Sequence, residues 1–426
     1  MKSSLAVSAR RFGPSAVACG AVVLALAAAG CSATAAAPVA AKAKAAAAKA
    51  SLTILPADGS RQVRPGTGVT VRATNGHVQK VLVTATGATS RPVAGGLSGG
   101  GAVWHTDSPL LPSQSYTVVA TAVSAGGQRV TTSSSFRTLT PHKTLQVSLL
   151  ESSHQSYGIG MPIVLTFNGR VTNRAAVERQ LTVTTSKPVV GAWYWDRTWD
   201  GQTTVAFRPR KYWTPGTRVS LTGHLAGIEV TKGVYLTHDV HVAFKIGPSL
   251  IVKVSTRTHY MDIYYKSRHF GHWAISTGRP GDDTPNGRYL TIEKANPTFM
   301  KGPGYALWVY WAVRFTWSGD YIHSAPWSVW AQGSTNVSHG CVNTSPAHAE
   351  TYYKMELPGD PVIVSGSPRA PTWDNGWTEW FLPFSRYVDG SALQQAVVAG
   401  PDGSTFVDPS TVEAPAMVGP RGRGLI

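Results

Sequence analysis

The 426-residue sequence predicts a mainly β protein: two β-sandwich modules followed by a third β-rich domain that carries one short helix. Three observations lead there. Val- and Thr-rich runs recur between Gly, Pro and Asn breaks through the first half, the pattern of short strands joined by tight turns. A proline corner opening an alternating strand occurs twice, at Leu111-Pro112 and Thr214-Pro215, with the prolines 103 residues apart. From Ser249 onward the runs turn aromatic, as in Tyr260-Met261-Asp262-Ile263-Tyr264-Tyr265.

Taken in order, the chain begins with Lys2, Arg10 and Arg11 ahead of an apolar run over 16–29, which reads as a secretory signal over residues 1–30. That run is too short for a convincing membrane span. It ends in Ala28-Ala29-Gly30-Cys31, which resembles a bacterial lipobox and implies a lipid on Cys31, the first mature residue. Such a chain would sit outside the cytoplasm, anchored in the cell membrane and facing the wall. Residues 32–50, alanine with Lys42, Lys44 and Lys49, have little apolar bulk to bury and read as a tether.

The repeated corner divides the next stretch into two tandem immunoglobulin-like modules, 51–143 and 144–247. Neither contains a cysteine, so each relies on a hydrophobic core, which about a hundred residues can supply. Trp193, Trp195 and Trp199 read as core and turn aromatics. The third domain spans 248–366. In it Ser345-Pro346 places an N-cap and a first-turn proline ahead of a helix over 347–355, and 360–365 reads as a closing strand. Residues 367–408 hold Trp373, Trp377, Trp380 and Phe381, an aromatic density that predicts packing back on the third domain; 409–426 reads as a disordered tail.

Lys plus Arg outnumber Asp plus Glu by 39 to 22, a net charge of +17 at pH 7. With a secretory start this points away from nucleic acid and toward an anionic wall or headgroup surface. Three cysteines are present, Cys19, Cys31 and Cys341; Cys19 leaves with the signal and a lipid would cap Cys31. Cys341 therefore has no disulfide partner in an oxidising compartment, a poor structural choice and a good nucleophile. His323 and His339 are both candidate bases for it, and Gly340 allows backbone N–H groups to approach a substrate carbonyl. No Cys or His spacing supports a metal site, and thiol and imidazole need no cofactor for acyl transfer.

His323, fourteen residues, then Ser338-His339-Gly340-Cys341-Val342-Asn343 resembles the signature of the L,D-transpeptidase (YkuD) family. The likeness runs through His323-Ser324-Ala325-Pro326-Trp327-Ser328, and the two modules, lipobox-like start and Trp-rich end resemble mycobacterial-type members. The resemblance implies an enzyme acting on peptidoglycan stem peptides. Cys341 would attack a tetrapeptide donor between diaminopimelate and the terminal D-alanine, and the diaminopimelate amine of an acceptor stem would resolve the thioester into a cross-link between third residues. It further implies His323 as base, oriented by the Ser324 backbone, with His339 in support. The N–H groups of Gly340 and Cys341 and the Tyr305 hydroxyl would face the oxyanion. Tyr305, Ser318, Gly319, Trp327, Ser338 and Asn343 would line the substrate cleft under a lid over 291–305. Carbapenem β-lactams would be covalent inhibitors.

Overall fold

A computed structural model of the chain describes residues 48–86, 92–196, 201–302 and 304–412. The signal, Cys31, Trp199 and most of the tether lie outside the described residues. Ala50, at the end of the expected tether, is already buried in the first module.

Two sheets form that module. Ser51–Leu55, Thr70–Thr74, Val103–Thr106 and Gly95–Ser98 make one; Gly76–Thr86, Ser115–Ser124 and Arg129–Arg137 make the other. Alternation along Ser115–Ser124 turns Tyr116, Val118, Ala120 and Ala122 into the core, while Thr117 and Thr121 face out and bond their cross-strand neighbours Ser135 and Thr131.

The second module repeats the architecture around a heavier aromatic core of Trp193, Trp195, Phe207 and Trp213. Trp213, beside the second proline corner, is fully buried and donates from its indole to Met161 O at 2.6 Å. One sheet runs Val147–Leu149, Ile163–Phe167, Thr203–Pro209, Val189–Trp195. It does not end at Val189–Trp195. The C-terminal strands Ala396–Gly400 and Gly403–Val407 extend it, so the segment expected to pack on the third domain is built largely into the second module. An exposed strand edge demands a partner, and these strands supply it. Buried Glu178 fixes the same segment, accepting from Trp195 Nε1 at 3.0 Å, Ala392 N at 2.8 Å and Ser391 Oγ. Arg208, also buried, lies 4.5 Å from the ring centres of Trp380 and Tyr387 and donates to Leu382 O. Pro409–Val412, placed by sequence in the disordered tail, form a helical turn whose Val412 O accepts from Arg210.

In the third domain Leu250–Ser255, Tyr260–Tyr265 and Arg268–Ser276 run antiparallel in succession. Arg268–Ser276 pairs with Val342–Thr344, which lies parallel to Tyr321–Ser324, and Tyr305–Arg314 follows on the far side. Helix Pro346–Met355 starts at Ser345, whose hydroxyl accepts from His348 N, and buries Ala349 and Tyr352. The segment expected as a lid, 291–305, holds two short strands, Glu293–Ala295 and Thr298–Gly302, both paired with Tyr305–Arg314, and Phe299 and Trp308 pack together on the exposed surface.

Candidate active site

The parallel pairing of Tyr321–Ser324 with Val342–Thr344 builds the site. His323 is in register with Asn343, so alternation sends both to one face, and Cys341, just ahead of the strand, joins them in lining one cavity. Ile322 and Val342, in register one step earlier, go fully buried into the core. The polar face opens into a cavity of about 340 Å³ lined by His323, Cys341, Asn343, Ser338, His339, Tyr305, Met300 and Trp327 among others.

Cys341 Sγ donates to Gly319 O at 3.7 Å. Burial pushes the thiol up to about 12; the Tyr321 N–H beside it pulls the other way, and the Asp320 charge adds to the rise. His323 is nearly buried, and burial holds its imidazole down at about 4 against a small opposing pull from Ser324 O. The resting pair is therefore a neutral thiol and a neutral imidazole. His323 Nδ1 lies 2.9 Å from Ser324 O. A carbonyl oxygen only accepts, so Nδ1 carries the proton and Nε2 presents its lone pair as a base.

The loop Ser338–Cys341 is held as a tight turn. Ser338 Oγ donates to Cys341 O at 2.6 Å and accepts from Gly340 N at 3.2 Å; Thr284 Oγ1 donates to Gly340 O at 2.6 Å. The Gly340 N–H, expected at the oxyanion, is thus engaged by Ser338, and Ser338 serves the turn as well as the cleft wall. His339 packs its ring 4.6 Å from that of Tyr305, and both line the cavity. Tyr305 folds over Gly302, where a Cβ would lie 2.7 Å from the Tyr305 hydroxyl. Trp327 stands half-exposed with its ring 6.0 Å from His323, and Asn343 donates to Ser328 Oγ at 3.0 Å.

Ser318, expected in the cleft, is exposed next to Gly319 and has its polar groups held by the loop itself. Its hydroxyl donates to Asp320 Oδ2 at 2.9 Å and accepts from Asn375 Nδ2 at 2.9 Å, while its N–H donates to Asn375 Oδ1 at 2.7 Å. Thr316 Oγ1 donates to the same Asp320 oxygen at 2.6 Å. Gly319 meets the thiol through its carbonyl alone. Asp320, Thr284 and Asn375 were missed by sequence reasoning. Asp320 was the most findable, a carboxylate in Ser318-Gly319-Asp320 just ahead of His323; Asn375 carries no local signal. Because Asn375 clamps the loop whose carbonyl accepts from Cys341, Asn375→Ala is expected to slow carbapenem acylation about tenfold, the loss of roughly one well-made hydrogen bond. Asn375→Asp keeps the acceptor for Ser318 N–H and is expected to recover part of the rate. Stopped-flow acylation, read beside the melting temperature, checks this; an unchanged rate would remove Asn375 from the positioning of the loop.

Among the described residues no cluster of His, Cys, Asp and Glu is arranged to hold a metal. Residues 249–364 match the L,D-transpeptidase catalytic domain family, and residues 60–229 match the bacterial Ig domain family. L,D-transpeptidase 5 of Mycobacterium tuberculosis is 33% identical over 350 residues, covering 80% of this chain and 77% of the relative. L,D-transpeptidase 2 of the same species is 31% identical over 352 residues, covering 80% and 85%. A solved L,D-transpeptidase in complex with imipenem is 32% identical, covering 53% of this chain and all of that one, at a TM-score of 0.44. Over four-fifths of its length, and through the residues that surround Cys341, this chain belongs to the L,D-transpeptidase family.

Proposed function

We propose that this peptidoglycan L,D-transpeptidase works as a cysteine acyltransferase with Cys341 as nucleophile and His323 as its base. One observation carries the reading: the Cys341 thiol, just ahead of the strand Val342–Thr344, and the His323 imidazole, on the parallel strand paired with it, line one cleft, with His323 Nδ1 held by Ser324 O so that Nε2 is left as the base. The donor is a tetrapeptide stem. As Cys341 Sγ bonds to the carbonyl carbon of diaminopimelate, its proton passes to His323 Nε2, and the imidazolium returns it to the departing amine of D-alanine. The acceptor's diaminopimelate amine then adds to the thioester carbonyl, the carbon–sulfur bond breaks, and the thiol regains its proton. Met300 on the strand Thr298–Gly302, His339 and Trp327 wall the cleft, which favours an amine over water at the second step.

The backbone around Cys341 and the Tyr305 hydroxyl are assigned to the oxyanion, with the Gly340 N–H free to serve only if it leaves Ser338. Carbapenems fit the same cleft as acylating inhibitors, since a strained lactam carbonyl meets the same thiol. We further place the protein outside the cytoplasm, held by a lipid on Cys31. Among the described residues no helix is long and apolar enough to cross a membrane. The deciding experiment gives purified enzyme a disaccharide-tetrapeptide and follows products by mass spectrometry. Cross-linked dimer with stoichiometric D-alanine supports the assignment; D-alanine without dimer would make it a carboxypeptidase, and neither product a non-catalytic wall protein.

A further inference from the structure

The outer face of the second module's other sheet forms a trough of about 670 Å³, lined by no Asp or Glu. Ser156–Tyr157, Val240–Ile246, Arg218–Gly223 and Leu181–Thr185 lie side by side in it. Thr184, Ser220 and Ala243 are in register across three strands and give it a floor of small side chains. The next row is Arg218, Lys245 and Ser156, again in register. His154 stands at one wall and Pro401, from the turn of the C-terminal hairpin, at the other.

Arg218 and Lys245 are exposed, directly opposed across an antiparallel pair, and neither side chain has an ion-pair partner among the described residues. Like charges in that relation repel, so an isolated sheet gains nothing from the arrangement. An anionic group bridging the two would reverse the sign. The row between the Thr184 row and the Arg218 row, Thr185, Val219 and Phe244, is buried beneath the face, so the trough is walled by the outward residues alone. The small-residue floor admits a slender chain. Phe244 is buried, which leaves His154 at one wall as the exposed ring among the lining residues and no row of rings on which successive bases could stack.

We propose that this trough binds a linear, phosphodiester-linked envelope polymer, one phosphate bridging Arg218 and Lys245 while the backbone of the polymer lies along Thr184, Ser220 and Ala243. The proposal rests on the wall-facing placement above, and it concerns anchoring to the envelope matrix, separate from the stem-peptide chemistry at Cys341. The net charge of +17 gives the long-range attraction, and the trough gives the place where it becomes specific.

The test is binding of the purified full chain to poly(glycerol phosphate) of defined length by isothermal titration, with inorganic phosphate and uncharged glycan in parallel, and dimer formation from soluble tetrapeptide measured on every variant. Arg218→Glu with Lys245→Glu is expected to weaken polymer binding at least about tenfold and to flatten its salt dependence, while dimer formation stays within about twofold. Ala243→Trp, which fills the floor and leaves the charges, is expected to weaken it as well. Undiminished binding by both variants would overturn the proposal, as would equal binding of the uncharged glycan or saturation by inorganic phosphate alone. Absence of dimer formation by the wild-type chain, with polymer binding present there and weakened in both variants, would instead count against the catalytic reading and leave the trough standing.

Discussion

Cys341→Ala is expected to abolish both the mass shift of a carbapenem on the intact protein and the release of D-alanine from a tetrapeptide stem. No other cysteine is present among the described residues, so no second thiol stands in for it. Any drug adduct on the Ala variant would sink the assignment. His323→Gln is expected to lower the acylation rate by about 10²- to 10⁴-fold, the usual share of a positioned general base. The charge states of the pair make a sharper forecast in the wild-type protein. With the thiol pushed up to about 12 and the imidazole held at about 4, neither group is charged at neutral pH. Thiolate then forms only as pH rises, so alkylation by iodoacetamide should climb about tenfold per pH unit through the mildly alkaline range. A preformed thiolate–imidazolium pair would show a plateau there, and a plateau would refute the neutral resting state. The benefit of neutrality is selectivity: the nucleophile is generated when a carbonyl and His323 are both in place.

How much of this was legible in the sequence depends on the range of the interactions. The sandwich modules were readable because alternation and turn residues are local; Tyr116 and Val118 sit inward for the reason their spacing suggests. The short helix was readable from Ser345 and Pro346 for the same reason. The Ser338–Asn343 motif held nearly everything the strand pairing then organised, because Cys341 immediately precedes the strand that carries Asn343, and His323 lies on the strand beside it. What escaped was long-range. The return of 396–407 to the edge of Val189–Trp195 joins residues some two hundred positions apart, and no local pattern records which edge a strand will choose. The same holds for Asn375 on Ser318. Ser318 came from the resemblance alone, and the bonds that hold it, to Asp320 two residues on and to Asn375 far along the chain, have no local signal.

Gly340→Ala is expected to cost about 100-fold in acylation rate, although the added group is a single methyl. Gly340 has φ +124°, a conformation that side chains rarely adopt, at a strain of about 1–3 kcal/mol. Space is as tight as geometry: a Cβ would stand 2.3 Å from Asp320 Oδ1. That carboxylate cannot swing aside freely, because its other oxygen is held by Thr316 and Ser318, and Ser318 is clamped by Asn375. The methyl must therefore displace either the turn carrying Cys341 or the loop carrying Gly319 O, and each moves the sulfur relative to His323. Comparing Gly340→Ala in the wild-type and Asp320→Ala backgrounds separates the two causes. If the contact with Asp320 dominates, the alanine should be much better tolerated where the carboxylate is gone; if the backbone conformation dominates, the loss should be the same in both. Carbapenem acylation kinetics, with the melting temperature as a check on folding, read the result, and an acylation rate within about twofold of wild type for Gly340→Ala would show that the turn is not held where the structure places it.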